Sequence, residues 1–404
     1  MSKKKLHAPT TSELGDFPHA PRLYEYPKRT KKEEFELKKK LGFIPYSVHN
    51  ILQEKCTYMM ILGERSNGKT YDVCRYILNK YAETGYTFAY VRRMDMDIKK
   101  EEMDKVWSGL VSEGEVEKAT HGKWTDVVKK GRRWYLAKYD EQLDKMVVDT
   151  NPFGYIFSIS SWEHSKGGSV PDVYTILFDE IITRDYYLPD EFVKFQNLVS
   201  TIVRNREGVE IFMLGNTVSR SCPYFREMGL TYIKDQQEGE IKVYTYGDSR
   251  LRVAVEIAGS VKSQGGKPSD YYFAFDNPQL KMITDGGWEI AVYPHTPIKF
   301  SKDDVQFQYF IQYEGWTLHC EIVVVGDMCF TNVHPKTTPI QDENKDLIFS
   351  QDLSPKPNWR RRITEPRTSF ERSLLRFYEN EQVYYSDNET GEIMREYLQL
   401  CKQS

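Results

Sequence analysis

The sequence predicts an α/β fold whose first domain is built on a largely parallel sheet. Apolar segments of strand length alternate with helical segments, and the apolar segments end at glycine, arginine or carboxylate residues. Strands that are apolar throughout are typical of parallel sheets covered by helices on both faces. The predicted strands are 56–62, 86–93, 154–161, 173–180 and 209–216, and the main predicted helices are 66–85 and 189–204.

The chain length and a change in sequence pattern predict two domains. With 404 residues the chain exceeds what one ordinary core needs. Residues 305–333 predict a three-stranded meander that turns at Glu314-Gly315 and Gly326-Asp327, and helical segments follow near the end. We therefore expect an α+β second domain. The predicted boundaries are a basic extension over 1–45, a first domain over 46–235, a linker or lid over 236–256, and the second domain over 257–404.

The composition excludes several classes of protein. A hydrophobic content of 40% with 14% aromatic residues is too high for a disordered chain. No segment has 18 uninterrupted apolar residues, and the basic start leads into no apolar signal-peptide core, so we expect a soluble protein that stays where it is made. The six cysteines form no Cys-x-x-Cys pair and have no paired histidines nearby, which argues against a zinc site or a disulfide framework and favours a reducing cytosol.

The charge is unevenly distributed along the chain. The net charge is −3, but residues 1–45 carry 11 Lys or Arg residues against 6 Asp or Glu, which leaves −8 for the remainder. A weakly acidic chain does not coat nucleic acid indiscriminately. Any contact with DNA or RNA must therefore come from local basic patches.

The segment that follows the first predicted strand matches the phosphate-binding pattern G-x-x-x-x-G-K-[ST]. It lies between a predicted strand and a predicted helix, which is the context that the pattern requires. Its backbone N–H groups and the helix N-terminus are expected to hold the phosphates of ATP. Within it we expect Lys69 to neutralise the β- and γ-phosphates and Thr70 to ligate Mg²⁺. The matching residues are Gly63, Glu64, Arg65, Ser66, Asn67, Gly68, Lys69 and Thr70.

Two further strands end in residues that suit ATP hydrolysis. The strand 173–180 delivers Asp179, the expected second Mg²⁺ ligand, followed directly by Glu180, which is placed to deprotonate a water molecule. The strand 209–216 ends at Asn216, whose amide would lie beside the γ-phosphate and sense hydrolysis. An ordinary turn asparagine remains the alternative for Asn216. Together these residues predict ATP hydrolysis coupled to motion.

Two arginines precede the strand that ends at Asn216. Arg204 and Arg206 could form surface ion pairs, as most arginines do, or could reach the nucleotide of a neighbouring subunit as a charge-stabilising finger. The spacing alone leaves both possibilities open.

Two basic patches are candidates for nucleic-acid contact. One lies on the predicted hairpin over 127–149, with Trp134 at its base. The other contains Arg360, Arg361 and Arg362 beside Trp359, a composition that suits RNA or capsid contacts. Solvated surface is the alternative for both patches. The hairpin residues, which we expect to touch DNA phosphates without reading sequence, are Lys129, Lys130, Arg132 and Arg133.

Taken together, these motifs resemble the genome-packaging ATPases of phi29-like tailed phages, relatives of the large terminases. The resemblance spans both domains and keeps the same order along the chain. It rests on the P-loop, the Asp-Glu strand and the stretches "YTFAYVRR", "KKGRRWY", "SSWEHSKGGSVPDVYTILFDE", "TIVRNRE", "GNTVSRSCPYF" and "FIQYEGWTLHCEIVV".

The resemblance carries expectations that the residues alone do not. It implies a P-loop domain of the additional-strand, catalytic-glutamate class, and a C-terminal RNase H-like domain without a working nuclease. It also implies a homopentameric ring on the portal of an empty capsid in the host cytoplasm, with a structural RNA as a possible partner. In such rings the active site lies at a subunit boundary, and Arg204 and Lys166 match the residues that the family supplies in trans.

The chain departs from the family in two places, and three rival functions stay open. The extension over 1–45 and the segment 134–155 are longer than we expect. The rivals are a helicase or conjugation-type DNA pump, a terminase that also cuts DNA with two metals, and a non-catalytic nucleotide-binding assembly factor. Glu321 and Asp327 are the candidate acids for DNA cleavage, with no third acid evident.

Overall fold

The chain divides into two compact units, Met1–Trp288 and Glu289–Ser404, in a computed structural model. None of the described helices is both long enough and apolar enough to cross a bilayer. The residues that the structure describes are 24–99, 101–161, 170, 172–183, 187–204, 206–217, 222–230, 233–249, 251–265, 292–296, 298–313, 315–350, 352 and 354–402.

The first unit contains a ten-stranded mixed sheet. Its strands are β1 (Tyr58–Gly63), β2 (Thr87–Arg92), β3 (Asp126–Lys130), β4 (Arg133–Asp140), β5 (Lys145–Val148), β6 (Gly154–Ser158), β7 (Val173–Asp179), β8 (Glu210–Asn216), β9 (Ile241–Thr245) and β10 (Arg252–Ile257). The helices described in this unit are α1 (Lys31–Leu41), α2 (His49–Gln53), α3 (Lys69–Thr84), α4 (Asp95–Lys99), α5 (Ser108–Ser112), α6 (Glu115–Ala119), α7 (Glu191–Val203) and α8 (Pro223–Glu227).

The strand order of the first sheet is β3-β4-β6-β2-β7-β8-β1-β10-β9, with β5 paired to β4. The six central strands run parallel to one another, and they are β6, β2, β7, β8, β1 and β10. The strands on either side of this group, β4 and β9, pair with it in the antiparallel direction. The strand β8 lies between β1 and β7, so one strand separates the P-loop strand from the strand that ends in two acids. This confirms the predicted largely parallel α/β sheet.

The strands of the sheet centre are buried on both faces, as their apolar sequences predict. All six residues of β1 are buried, and separate hydrophobic clusters cover the two faces of the sheet. The helix α3 follows β1 and ends at Gly85, which adopts the left-handed conformation with φ 74°. A glycine favours that conformation because it lacks a Cβ atom. The predicted helix boundary at Gly85 is therefore confirmed.

The expanded segment 134–155 contributes to the core of the first unit. Trp134 stacks on Phe88, with ring centroids 5.7 Å apart, and Phe153 packs edge-on against Trp107. All four rings are buried. The added length therefore serves packing at its two ends, while β5 in its middle is partly exposed.

The part of the N-terminal extension that the structure describes is only partly a solvated arm. The helix α1 has no buried residue, and its five-lysine surface is exposed to solvent as its charge pattern predicts. Just before it, however, Arg29 forms an ion pair of 2.5 Å with Asp72 of α3, and both side chains are almost fully buried. Tyr26 also donates a hydrogen bond to Asp72. The segment is anchored because a buried carboxylate needs paired donors.

The predicted linker over 236–256 differs from what the structure shows. It contributes β9 and β10 to the first sheet, and β10 pairs in parallel with β1. Both are short strands, and β10 is buried along most of its length. The first compact unit accordingly extends to residue 288.

The second unit contains a six-stranded sheet with the order β15-β14-β11-β12-β13-β16. The strands β11, β12 and β13 form the predicted antiparallel meander, and β14, β15 and β16 pair in parallel with their neighbours. The elements are β11 (Val305–Tyr313), β12 (Trp316–Val325), β13 (Met328–Pro335), β14 (Leu347–Ser350), β15 (Trp359–Arg360), β16 (Val383–Tyr385), α9 (Ser369–Glu379) and α10 (Asn388–Lys402).

Candidate nucleotide-binding site

A cavity of about 350 Å³ opens at the carboxyl edge of the first sheet. The ends of β1, β7 and β8 meet there with the N-terminus of α3, because parallel strands place their carboxyl ends at the same edge. In open α/β sheets, ligands bind outside this edge. The lining residues are Arg65, Ser66, Asn67, Gly68, Lys69, Thr70, Tyr71, Asp179, Glu180, Leu214, Gly215 and Asn216.

The loop between β1 and α3 has the geometry that its two terminal glycines allow. Gly68 caps α3 in a left-handed conformation with φ 94°. A Cβ atom on Gly63 would lie 3.1 Å from the carbonyl oxygen of Ala258, so a side chain there would push the two backbones apart by a few tenths of an ångström. The loop thereby directs the α3 N-terminus, with its positive dipole end, at the cavity, and the Lys69 N–H there donates to Oδ1 of Asn67 at 3.3 Å.

Lys69 is buried and is held by the loop itself. Its Nζ donates to the carbonyl oxygens of Gly63, at 3.2 Å, and Glu64, at 2.6 Å, and to Oδ1 of Asn67, at 3.2 Å. Burial lowers the pKa of Lys69 to about 8, although Asp179 and Glu64 act in the opposite direction. The ammonium group thus occupies a nest of loop oxygens, and a phosphate group would have to replace those partners.

Asp179 lies at the end of β7 and is held by β2. Oδ2 accepts a hydrogen bond of 2.9 Å from the Tyr90 hydroxyl and lies 3.9 Å from Nη1 of Arg92. Burial raises the pKa of the Asp179 carboxyl above its usual value, and the Arg92 guanidinium opposes this. A cation placed in the cavity would stabilise the ionised form in the same way that Arg92 does.

Glu180 adopts a strained backbone conformation directly after Asp179. Its φ is 62°, an uncommon value for a residue other than glycine. The side chain is 56% exposed and forms an ion pair with Nη2 of Arg92. Glu180 is therefore at the mouth of the cavity, but its carboxylate is held by an arginine rather than being free to accept a proton.

The paired arginines at the end of β2 contribute to the site in a way that the sequence did not predict. Arg92 joins the two acids of β7, as described above. Arg93 is buried, forms two hydrogen bonds of 3.0 and 2.9 Å with Glu191, and donates to the carbonyl oxygens of Glu180 and Ile181. Arg93 thus fixes the backbone that carries the second acid. The sequence signal that could have indicated these contacts is an arginine pair at the end of one strand and an Asp-Glu pair at the end of another.

Asn216 lies where the sequence predicts it, at the end of β8 beside the P-loop. It pairs in register with Gly63 of β1, and the next residue, Thr217, donates its N–H to the Gly63 carbonyl at 3.2 Å. Asn216 and Thr70 both line the cavity. The structure therefore brings Lys69, Thr70, Asp179, Glu180 and Asn216 together.

The loop after β10 is a neighbour of the P-loop that the sequence did not predict. Ala258 donates its N–H to the Leu62 carbonyl at 2.7 Å, and the carbonyl of Gly259 accepts from Nδ2 of Asn67 at 3.2 Å. The Val261 N–H donates to the Glu64 side chain. Both Asn67 and Glu64 also contact Lys69, so the lysine and this loop share the same partners.

Arg204 does not join the cavity of its own chain. It is exposed and ends α7 with φ 50°, shortly before β8 begins. The strand β8 runs over seven residues from the end of the sheet near Arg204 to the cavity. Arg204 and the cavity therefore lie roughly 20 Å apart along the strand. Arg206 is engaged within the chain, since its guanidinium donates to the Val170 and Ile202 carbonyls. Lys166 lies outside the described residues.

The four basic residues of the predicted DNA-binding hairpin fall into two pairs. Lys129 forms an ion pair of 2.8 Å with Asp104, and Arg132 one of 2.5 Å with Asp95. Lys130 and Arg133 lie instead over the rings of Tyr135 and Tyr155 and are exposed. The turn at Gly131 lies on the carboxyl side of the sheet, five strand positions from β1, or roughly 24 Å.

The second basic patch is largely neutralised by neighbouring acids. Arg360 forms an ion pair of 2.7 Å with Glu371, and Arg362 one of 2.7 Å with Glu365, which leaves Arg361 as the exposed arginine of the three. Trp359 packs beside Lys356. The patch therefore presents less free positive charge than its sequence indicates.

The two acids considered for DNA cleavage are far apart. Glu321 lies within β12, whereas Asp327 is exposed in the turn between β12 and β13. Four strand residues, 322–325, and Gly326 of the turn separate them, or roughly 15 Å. A two-metal site needs ligands around metals about 4 Å apart. These two residues do not form such a site.

Residues 40–389 match the model of one protein family, Podovirus DNA encapsidation protein (Gp16). The chain belongs to this family. The match covers both units and includes every residue of the cavity. It confirms the resemblance to phi29-type packaging proteins that the motifs indicate.

Individual relatives agree with this assignment. The chain is 32% identical over 315 residues to the DNA packaging protein of Bacillus phage phi29, covering 75% of this chain and 86% of that protein. It is 28% identical over 322 residues to the DNA packaging protein of Bacillus phage PZA, with the same coverage.

Two solved structures share the fold. One, of the bacteriophage Phi-29 viral genome packaging motor assembly, has a TM-score of 0.53 at 21% identity and covers 89% of this chain and 99% of its own. The other, of the Phi-28 gp11 DNA packaging motor, has a TM-score of 0.51 at 17% identity and covers 89% of this chain and 98% of its own.

Proposed function

We propose that this protein is an ATP-driven motor that moves double-stranded viral DNA into a preformed capsid. The observation that carries the proposal is the convergence of Lys69, Thr70, Asp179, Glu180 and Asn216 around one cavity at the carboxyl edge of the sheet. Membership of the DNA encapsidation family and the two packaging-motor folds support DNA as the cargo.

The residues present fit ATP and Mg²⁺. The loop that now holds the Lys69 ammonium group leads into the N-terminus of α3, and the backbone N–H groups and positive dipole end of a helix N-terminus bind phosphate. Thr70 and Asp179 would hold Mg²⁺, an ion that prefers oxygen ligands. Bound Mg²⁺ would supply charge neutralisation at the β- and γ-phosphates.

Glu180 is the proposed general base. It is the exposed carboxylate at the mouth of the cavity, while Asp179 is turned inward toward Tyr90 and Arg92. The ion pair with Arg92 holds Glu180 away from a proton-accepting role, so Arg92 must release it before water is deprotonated. Lys69 and Glu180 are thus both held by groups of the chain itself, and hydrolysis requires both to exchange these partners.

The position of Arg204 supports a site shared between subunits. Because Arg204 lies at the opposite edge of the sheet from its own cavity, it could reach a phosphate only in a neighbouring copy of the chain. We propose a ring, most simply the pentamer implied by the family resemblance, in which Arg204 and Lys166 act in trans. The additional strand β8 between β1 and β7 supports assignment to the catalytic-glutamate class of P-loop ATPases.

A route from the cavity to the rest of the chain is available through the loop after β10. Asn67 and Glu64 contact both Lys69 and residues 259–261. When Lys69 leaves these partners for phosphate, the contacts of that loop must change too. We propose that this loop, together with Asn216, transmits the nucleotide state to the DNA grip.

The remaining partners are proposed from charge and topology. Lys130 and Arg133 are the proposed phosphate contacts on duplex DNA, because no acid neutralises them among the described contacts. The strand order β13-β12-β11-β14-β15 supports an RNase H-like second unit. The separation of Glu321 and Asp327 supports the proposal that this unit has no working nuclease site. The capsid portal and a structural RNA are further proposed partners, with action in the host cytoplasm at the portal vertex.

A Glu180→Gln variant tests the proposed hydrolysis. We expect it to bind ATP as the wild type does, while the rate of hydrolysis falls by about 10²–10⁴-fold because the general base is lost. ATP affinity and turnover are measured with and without blunt duplex DNA. Glu227→Gln, an exposed acid on α8, is the control. Undiminished hydrolysis would remove Glu180 from the mechanism, and strand separation by the wild type would favour a helicase.

A further inference from the structure

A second cluster of reactive side chains lies on one face of the sheet in the second unit. His319 and Glu321 are two residues apart on β12, so their side chains project from the same face. His334 on β13 pairs directly with His319 in the strand register. Neighbouring residues at alternate positions, such as Cys320, are buried in the core on the other face.

The three side chains are close enough to hold one ion. One potential ligand atom from each of the three lies within 4.8 Å of the others. Nε2 of His334 lies 3.5 Å from a carboxylate oxygen of Glu321, and the two imidazole centroids are 4.7 Å apart. Tetrahedral ligands about 2.0–2.1 Å from a metal are roughly 3.4 Å from each other. His334 and Glu321 therefore already have nearly this spacing, and His319 lies within 4.8 Å of both.

Each candidate ligand also has a partner that fixes its orientation. Nδ1 of His334 lies 3.2 Å from the Pro335 carbonyl, which can only accept, so Nδ1 carries a hydrogen and Nε2 is the nitrogen left for a metal ion. Nε2 faces a carboxylate oxygen of Glu321 at 3.5 Å, so an ion bound between them would take the place of a shared proton. The same Glu321 oxygen accepts a hydrogen bond from Asn332, whose other amide atom accepts from Thr296. Metal-binding histidines and carboxylates are oriented by such outer partners.

His319 is oriented in the same manner. Its Nε2 lies 3.1 Å from Oε1 of Gln308, and its ring stacks on Phe310, with centroids 4.8 Å apart. When Nε2–H donates to Gln308, Nδ1 is the nitrogen with a free lone pair. The ring is thus held in place by contacts outside the cluster.

We propose that His319, Glu321 and His334 bind one divalent transition-metal ion of the Zn²⁺ class. Two imidazoles and one carboxylate suit Zn²⁺, Co²⁺ or Ni²⁺ better than Mg²⁺ or Ca²⁺, which prefer oxygen ligands only. Three protein ligands leave a fourth position for water or for a ligand from a partner. The ion would join β12 to β13, and this role is separate from the two-metal nuclease chemistry considered above.

The experiment uses the full-length chain after treatment with a chelator. Zn²⁺ is added, unbound ion is removed by desalting, and the bound metal is measured by elemental analysis. Co²⁺ is used in parallel, since its visible absorption reports nitrogen ligands and tetrahedral geometry. We expect one ion per wild-type chain, retained in the presence of excess Mg²⁺.

Variants of the three residues decide the assignment. The His319→Gln and His334→Gln variants keep size and polarity, and we expect each to lose at least tenfold in Zn²⁺ affinity and to lose the Co²⁺ absorption. His121→Ala, an exposed histidine of the first unit, is the matched control and should bind as the wild type does. Circular dichroism of the metal-free variants checks that they fold. The proposal is overturned if the wild type binds no stoichiometric ion, or if folded variants bind it equally well.

Discussion

The two units carry their reactive side chains in different places on their sheets. In the first unit, Lys69, Asp179 and Glu180 lie at the carboxyl edge of parallel strands whose two faces are both buried. In the second, His319, Glu321 and His334 lie on one face of an antiparallel meander whose other face is packed. The way the strands are connected explains the difference. The helices that connect parallel strands cover both faces of the sheet and leave only its edges accessible.

This difference determines what each site can do. A sheet edge joins the ends of several strands and a helix N-terminus, so it can exchange partners when a ligand binds. Lys69 and Glu180 are both held by replaceable contacts of this kind. A sheet face holds its side chains at fixed spacing, which suits a bound ion better than a moving part. Under the two proposals, motion therefore belongs to the first unit and a static ion site to the second.

We expect the largest loss of ATP turnover from replacing Arg204, which lies at the edge of the sheet opposite the cavity. In assembled rings, an Arg204→Ala chain should lose about 10³-fold or more in turnover, because a trans-acting arginine stabilises the transition-state charge. Mixing this variant with wild type should lower the ATPase rate more steeply than in proportion to the variant fraction. Arg206→Ala, whose guanidinium is engaged within the chain, is the comparison. A strictly proportional loss would show that active sites are not shared.

The next prediction separates the P-loop from the proposed metal site in the second unit. Lys69→Ala should lower ATP turnover by about 10²–10³-fold, since a positive clamp on the phosphates is removed. Zn²⁺ binding by the same variant should be unchanged, because the cluster lies in the other unit. Lys118→Ala, an exposed ion-paired lysine, is the control for charge loss. Retained turnover in Lys69→Ala would contradict the assignment of the cavity.

A buried acid beside the P-loop strand predicts a pH dependence of stability. Burial raises the pKa of Glu256 on β10 to about 7, and its carboxylate accepts a 2.5 Å hydrogen bond from Tyr46. Between about pH 4.5 and 7 the folded chain keeps a proton that the unfolded chain has released. The free energy of unfolding therefore falls as the pH rises through this window, by about 3 kcal/mol, and the loss is complete above pH 7.

A Glu256→Gln variant should remove this pH dependence, because the amide keeps an acceptor for Tyr46 and does not titrate. Denaturant unfolding of wild type and variant at pH 5 and pH 8 measures the difference, which we expect to favour the variant by about 3 kcal/mol at pH 8. Glu117→Gln, an exposed acid on α6, should leave the pH dependence unchanged. Equal pH dependence in wild type and Glu256→Gln would show that Glu256 titrates normally.

The smallest effect separates the two pairs of basic residues on the hairpin. Replacing both Lys130 and Arg133 with alanine should weaken duplex binding equally for all sequences and reduce the slope of log K against log salt by about 2. Replacing Lys129 and Arg132 should change the slope less, because Asp104 and Asp95 already neutralise them. Fluorescence anisotropy at several salt concentrations measures both. Identical slopes for the two double variants would mean that the ion pairs open on DNA.

The sequence predicted the elements that lie close together along the chain. The P-loop, the Asp179-Glu180 pair and the meander each follow from a continuous segment with its own periodicity, and the structure confirms their secondary structure. The strands β9 and β10 are not predicted, because in the sequence two short strands joined by a turn look like a linker. Their membership of the sheet depends on a long-range pairing with β1.

The features that the sequence did not predict depend on contacts between segments that are distant along the chain. The contacts of Arg92 with both acids depend on β2 and β7 being neighbours, and an arginine after a strand is compatible with many roles. The cluster of His319 and His334 requires the β12–β13 register, which no local pattern specifies. Zinc sites that are read from sequence have cysteine or histidine pairs close together along the chain, and His319 and His334 are too far apart in sequence to give such a pattern.

The central claim is that ATP is held by the loop after β1 and hydrolysed through the acids that end β7. A structure of the full-length chain with Mg²⁺ and a non-hydrolysable ATP analogue tests it most directly. We predict that Lys69 Nζ leaves the carbonyls of Gly63 and Glu64 for the phosphates, and that Glu180 separates from Arg92. An analogue bound elsewhere, or Lys69 still on those two carbonyls with the analogue present, would contradict the claim.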